Sequence, residues 1–153
     1  MVILENYPKC TVDVLMNFVS THDIERAINR FGGQPCDDKS KDWMASNELS
    51  PDEYNRGKAL LKGAMVLQFF LPGVPSIYYG DEAGLQGWKD PFNRRCYPWG
   101  NEDTELVEYT RQMARSAGSI RLLQRALWSS WYWRKRCWAL HDTFCRTVPA
   151  LLC

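Results

Sequence analysis

The chain carries two short apolar runs, each followed directly by acidic residues, with a long amphipathic stretch between them. The first run, Met16–Thr21, leads into His22-Asp23, and the second, Val74–Tyr79, leads into Gly80-Asp81-Glu82. This order predicts two buried strands joined through a helix, which lie parallel in one sheet. Because a parallel barrel gathers chemistry at the carboxyl ends of its strands, both acidic exits are expected at one edge.

The intervening helix has a complete start signal. Ser50-Pro51-Asp52-Glu53 supplies Ser at the N-cap, Pro at N1 and Glu at N3, which together predict a capping box. Apolar residues then recur at helical spacing and predict the buried face: Leu60, Ala64, Leu67 and Leu71. Pro72-Gly73 is expected to end the helix.

Three further helices are predicted, at Asn6–Leu15, Ile24–Phe31 and Asn101–Met113. Gly32-Gly33 is expected to cap the second of them at its carboxyl end. Residues 34–49 are predicted to be irregular, and Gly80–Gly100 reads as a long loop. Loops of that length are more often functional than filler.

Composition bounds the class of protein. At 153 residues the chain is long enough for one domain with a core, and 45% apolar content excludes disorder by composition. The amino terminus lacks the basic and apolar regions of a signal peptide, and no run approaches a membrane span. The six cysteines form no CxxC pair, so we expect free thiols, no zinc or other metal, and a cytoplasmic location.

The acids and arginines after the strands have two interpretations. A lone His22-Asp23 pair can be structural, Asp81-Glu82 can be a solvated turn, and Asp90 with Arg94 can be an i,i+4 ion pair. The long loop also holds aromatic rings that could pack as a lid: Trp88, Phe92, Tyr97 and Trp99. Taken together, acids, arginines and rings in one loop are also what a sugar site requires.

Three segments resemble a known family. LMNFVSTHDIERAINRFGG, LLKGAMVLQFFLPGVPSIYYGDEAG and GWKDPFNRRCYPWG are similar to the last third of the catalytic barrel of the α-amylase family, glycoside hydrolase family 13. The resemblance is strongest to the neopullulanase, cyclomaltodextrinase and amylopullulanase branch and covers residues 1–113. It implies an α/β fold, a partial TIM (β/α)8 barrel comprising strands seven and eight with their helices. A C-terminal tail over residues 114–153 falls outside the resemblance.

The resemblance also implies a reaction and roles for named residues. The family cleaves α-1,4 and in some members α-1,6 glucosidic bonds of starch-derived glucans by a retaining mechanism. Asp23 matches the carboxylate that stabilises the transition state, and His22 matches its hydroxyl-binding neighbour. Asp90 and Arg94 match a loop pair that lines the glycone side of the cleft. The implied partner is an α-glucan or maltooligosaccharide, with no cofactor, nucleic acid or membrane and no oligomeric state predicted.

The chain departs from the family pattern in two respects within the barrel segment. Thr21 stands where the family commonly has Asn before His-Asp, which changes one hydrogen bond. The nucleophile and the acid/base belong to strands four and five, for which this chain has no matching residues. Since retaining chemistry needs two carboxyls about 5 Å apart, the isolated chain is expected to be inactive. Its two strands would also leave edges unpaired, which predicts poor solubility.

The tail is a third departure. Residues 114–153 hold 7 Lys/Arg against one acid, Asp142, whereas residues 1–113 hold 12 Lys/Arg against 17 Asp/Glu. Four of the seven tryptophans lie within eleven residues, at Trp128, Trp131, Trp133 and Trp138. We favour a frameshift near codons 111–118 over the rival interpretation, a genuine segment that binds anionic lipid or nucleic acid. Translation of the other two reading frames of the DNA decides between them.

Two alternative functions remain open from the sequence. An amylase-like barrel can serve protein contacts without catalysis, and the upstream acids would exclude that role. A His-Asp metal phosphohydrolase would need more histidines as ligands, and His141 is the only other one.

Overall fold

The computed structural model describes residues 5–118, and the predicted tail therefore lies outside the described residues beyond Gly118. The elements follow one another in the order α1 (Lys9–Val12), β1 (Met16–Asn17), α2 (Ala27–Gly32), α3 (Lys41–Ser46), α4 (Pro51–Phe70), β2 (Val74–Pro75), a 3₁₀ turn (Asp81–Ala83), a second 3₁₀ turn (Phe92–Arg94) and α5 (104–118).

The two strands pair in parallel, as predicted. Met16 lies opposite Val74, and Asn17 lies opposite Pro75. The side chain of Gln68 on α4 supports the pair, since its amide donates to the carbonyl oxygen of Asn17 at 3.1 Å and to that of Ser76 at 2.6 Å. The strand–helix–strand order thus gives a parallel crossover.

Both strands are shorter and more open than predicted. Each spans two residues, and the side chain of Met16 is 65% exposed, so the expectation of buried strands is wrong here. Within the described residues each strand has one partner.

The start of α4 is as predicted. The Ser50 hydroxyl accepts from the backbone N–H of Glu53, and the Glu53 carboxylate accepts from the N–H of Ser50 at 2.9 Å. These bonds to Ser50 hold the pKa of Glu53 below its usual range. The capping box therefore fixes where the helix begins.

The predicted buried face of α4 is wrong. Leu60 and Leu67 are 52% and 61% exposed, whereas Leu61, Met65 and Phe69 are buried. The helix is apolar on two adjacent faces, so periodicity alone does not select one of them. The Leu67 face lines an open apolar groove beside Met16–Val19, together with Ala64, Gln68 and Leu71.

The core lies between helices. Ile28 of α2, Leu61 and Met65 of α4, Leu106 of α5 and the loop residue Trp88 are all almost fully buried in one cluster. Fully burying such side chains stabilises the fold by about 1.5–3 kcal/mol each. The core therefore fixes α2, α5 and the long loop around α4.

Helices α2 and α4 meet through glycines. A Cβ at Gly32 would lie 2.1 Å from the backbone oxygen of Glu53, and a Cβ at Gly57 would lie 2.3 Å from that of Ile28. The helix ends at Gly32 with Gly33 at its C-cap, as predicted, and Gly33 is extended at φ −88°. The glycines at this crossing allow close helix packing.

The remaining boundaries also shift. Helix α2 begins three residues later than predicted because Arg26 is extended, and its N–H bonds to the carbonyl of Gly87. Residues 34–49, predicted as irregular, contain α3, whose N-cap Ser40 accepts from the N–H of Trp43. Helix α1 is shorter than Asn6–Leu15, and α5 begins after Asp103, whose carboxylate accepts from the N–H of Leu106 at 3.1 Å.

Two glycines of α4 provide a matched test of this packing. Gly57→Ala should lower the free energy of unfolding by roughly 1–3 kcal/mol or more, because its methyl meets backbone. Gly63→Ala on the open side, with nothing within 4 Å of the added carbon, should raise it by roughly 0.5–1 kcal/mol. Urea unfolding of the two variants measures both, and equal effects would contradict the proposed close contact.

Candidate functional site

A buried arginine joins the segments that follow both strands. Arg26 is 0% exposed, and its Nε donates to the carbonyl oxygen of Asn93 at 3.0 Å. Its Nη1 donates to the carbonyl of Tyr79 at 2.7 Å and to Oδ1 of Asp81 at 3.0 Å. The Arg26 guanidinium therefore connects the segment after β1 with the segment after β2 and with the long loop.

The surroundings of Arg26 favour its positive charge. The rings of Tyr78 and Tyr79 lie 4.5 Å and 4.8 Å from its guanidinium carbon. Such cation–π contacts stabilise a desolvated cation. The interpretation of Asp81 as part of a solvated turn is wrong, because this carboxylate is buried against Arg26.

Asp81 titrates abnormally. Burial raises its pKa to about 6, although the Ser20 hydroxyl and the Arg26 guanidinium both favour the carboxylate form. The buried Ser20 hydroxyl also accepts from the N–H of Ala27 at 2.9 Å. The first turn of α2 and the β2 exit are thus linked through polar contacts in a dry environment.

Asn93 holds the segment that carries the predicted catalytic pair. Its Nδ2 donates to the carbonyl oxygens of His22 at 2.9 Å and Ile24 at 2.7 Å. Asn93 is itself fully buried. The 3₁₀ turn Phe92–Arg94 therefore lies directly against the His22-Asp23 loop.

His22 and Asp23 lie beyond the end of β1 and face solvent. Nε2 of His22 lies 3.2 Å from Oδ1 of Asp23, and the Asp23 side chain is 73% exposed. The Thr21 hydroxyl accepts from the Asp23 N–H at 3.2 Å, so the residue that replaces the family's usual Asn bonds locally. The carboxylate is free to meet a ligand from outside.

Asp90 and Arg94 form the ion pair that their spacing predicted. Nε of Arg94 lies 2.8 Å from Oδ1 of Asp90, with both side chains about half exposed. Nη2 of Arg94 also lies 3.4 Å from the carbonyl oxygen of His22. Arg94 thus reaches the same segment as Asp23, and the four residues predicted from the resemblance cluster around it.

The aromatic residues of the long loop divide into two groups. Trp88 is buried, donates from Nε1 to the carbonyl of Asn47 at 2.8 Å and packs 4.9 Å from the ring of Trp43. Trp99 is 80% exposed and lies 4.5 Å from the ring of Tyr97. Packing therefore accounts for Trp88, whereas Trp99 presents an open ring face.

The sequence did not single out Arg26 or Asn93, and it indicated Asp81 only together with Glu82, as a solvated turn or as part of a sugar site. The spacing of Arg26 three residues after Asp23 was available as a signal, but an arginine there is equally consistent with an exposed helix. Its partners lie 55 and 67 residues away in the chain. Only the fold reveals that they meet.

Residues 5–118 contain neither a metal-ligand cluster nor a helix that could span a membrane. No group of three or more His, Cys, Asp or Glu side chains in that range could hold a metal ion. No helix in the same range has both the length and the apolar character to cross a bilayer.

Comparison with known proteins identifies relatives. No family model matches the chain. This chain is 38% identical to an amylopullulanase of Thermoanaerobacter thermohydrosulfuricus over 124 residues, which cover 81% of this chain and 8% of that enzyme. It is 31% identical to a cyclomaltodextrinase of a Bacillus species over 73% of this chain and 16% of the relative. The debranching enzyme of Nostoc punctiforme matches in structure with TM-score 0.59 and 28% identity, over 80% of this chain and 20% of that one.

These relatives are α-glucan hydrolases of the α-amylase family. The chain is homologous to a segment of the amylopullulanase and cyclomaltodextrinase branch of that family, which confirms the resemblance seen in the sequence. It spans less than a fifth of the length of these two curated relatives.

The buried Asp81 predicts a pH effect. Because its folded pKa of about 6 lies above the ordinary value of 3.8, the folded chain binds more protons than the unfolded chain between these values. The free energy of unfolding should therefore fall, by roughly 1–3 kcal/mol from Asp81 alone, as pH rises from about 4 to 7.

Asp81→Asn removes this titration and provides the comparison. Urea unfolding at several pH values measures the free energy of unfolding of both chains. As pH rises, the free energy of unfolding of the unsubstituted chain should fall relative to that of Asp81→Asn. A shift in its favour would show that the Arg26 charge outweighs burial.

Proposed function

We propose that residues 5–113 are part of the catalytic barrel of a retaining α-glucan hydrolase, contributing strands seven and eight of a (β/α)8 fold. The observation that carries the proposal is the placement of His22, Asp23 and Arg94 together at one exposed edge, in a segment homologous to such enzymes. The parallel register of β1 and β2 supports the barrel assignment.

In this proposal Asp23 binds ring hydroxyls of the glucose unit being cleaved. Hydrogen bonds to the 2-OH that strengthen as the oxocarbenium ion develops supply several kcal/mol in glycosidases. A carboxylate serves best, since charge-assisted hydrogen bonds are about twice as strong as neutral ones. The exposure of Asp23 gives a sugar ring access to it.

His22, Asp90 and Arg94 serve as substrate contacts. His22 stands next to Asp23, and the Arg94–Asp90 pair presents a charged fork on the neighbouring turn. Arginine and carboxylate groups bind sugar hydroxyls, and Trp99 offers an open ring face for stacking. The substrate is a starch-derived glucan or maltooligosaccharide with α-1,4 linkages, and α-1,6 linkages are a second class to test.

The 153-residue chain by itself should not hydrolyse glucans. The nucleophile and acid/base of the retaining reaction would come from strands four and five, and two carboxyls about 5 Å apart on either side of the scissile bond are required. Reducing-sugar release from maltotriose and pullulan measures this. Turnover by the purified chain would contradict the proposal.

Asp23→Asn tests the central role in an enzyme with a complete barrel. We place residues 5–113 in the matching segment of the Thermoanaerobacter amylopullulanase and compare kcat and KM with those of the same hybrid carrying Asp23→Asn. Loss of about 3 kcal/mol of transition-state stabilisation should lower kcat roughly 100-fold with little change in KM. The control is Asp38→Asn, another exposed carboxylate, which should leave kcat unchanged. Equal changes in kcat and KM would count against the role of Asp23.

A further inference from the structure

We propose that Asn93, held in place by Arg26, is a positioning residue that fixes the backbone of Asp23. The inference rests on the proposed function of Asp23 and concerns how that carboxylate is held. The carboxylate is largely exposed, and it lies 3.2 Å from Nε2 of His22, which is also exposed. The position of the Asp23 carboxylate must therefore be fixed mainly by the backbone of Asp23.

The Asn93 amide spans Asp23. Its Nδ2 donates to the carbonyl oxygens of His22 and Ile24, at 2.9 Å and 2.7 Å, so both amide protons are used. These carbonyls belong to the residues on either side of Asp23. Fixing both of them restricts the rotation of the peptide groups that aim the Asp23 side chain.

The orientation of the amide has one solution. A flip would place Oδ1 against two carbonyl oxygens, and the observed orientation leaves Oδ1 buried without a hydrogen-bond partner among residues 5–118. A buried acceptor without a partner destabilises the fold. The contribution of Asn93 at this position therefore comes from the two hydrogen bonds that its Nδ2 donates.

Arg26 keeps Asn93 where it can act. Its Nε donates to the Asn93 carbonyl oxygen at 3.0 Å, and its Nη1 is paired with the buried Asp81 at 3.0 Å. Both Arg26 and Asn93 are fully buried. Arg26 lies three residues after Asp23. The bond from Arg26 to Asn93 and the bonds from Asn93 to His22 and Ile24 therefore all join the long loop to the same segment, residues 22–26.

Accurate placement matters for a transition-state contact. A displacement of about 1 Å can cost an enzyme roughly 100-fold in rate. A residue that holds Asp23 without touching substrate should therefore affect kcat while leaving ground-state binding nearly intact.

Hydrogen–deuterium exchange on the full 153-residue chain tests the positioning directly. Asn93→Asp keeps the shape but replaces the donor with an oxygen, and Asn93→Leu removes the donors without adding a charge. In both variants, exchange in residues 21–26 should be faster by about tenfold or more, while exchange in α4 stays unchanged. The matched control is Asn101→Ala, an exposed asparagine between the long loop and α5, which should alter neither.

The outcomes separate this inference from the proposed function. Unchanged exchange at residues 21–26, or equally faster exchange in α4, would overturn the positioning role, since the second result is what general destabilisation produces. In the hybrid enzyme, Asn93→Asp should lower kcat about tenfold or more with KM nearly constant. If Asp23→Asn leaves kcat unchanged while exchange responds to Asn93 as expected, the proposed function fails and the backbone contact stands.

Discussion

The buried charge of Arg26 is the constraint on which the rest of the site depends. A cation without solvent must be paired and hydrogen-bonded, or the fold pays several kcal/mol. Its partners are Asp81, the carbonyl of Tyr79 and the carbonyl of Asn93, which lie in separate parts of the chain. The bonds from Nε and Nη1 therefore bring the β2 exit and the long loop to the β1 exit, while Nη2 has no hydrogen-bond partner among residues 5–118.

This contact compensates for a very small sheet. The strands contribute two residues each, and the core lies between α2, α4 and α5 with Trp88 added from the long loop. Trp88 anchors that loop in the core, and Asn93, five residues further on, anchors it against His22 and Ile24. The candidate site is thus supported mainly by the buried hydrogen bonds of the long loop. The two strands contribute their parallel direction, which brings both exits to the same edge.

Local signals in the sequence were sufficient for some features and insufficient for others. The capping box at Ser50 and the parallel order of the strands depend on neighbouring residues or on connection length, and both were predicted correctly. The core face of α4 was not, because Leu60 and Leu61 begin equally apolar series and the choice depends on what packs against them. Asp23 came from a family resemblance. The Arg26–Asp81 contact came from neither, because it joins residues 55 positions apart.

The identity of the central residue follows from the geometry it must satisfy. A leucine at position 26 would fill space but would leave Asp81 with the Ser20 hydroxyl and no cation, and would remove the Arg26 donor from the buried carbonyl of Asn93. A lysine would bring one compact charge, whereas the guanidinium donates in two directions from a rigid plane and also lies against two tyrosine rings. A buried ion pair need not add stability over apolar packing. Its directional bonds, however, specify one arrangement of three segments, and the role proposed for Asp23 requires such a fixed arrangement.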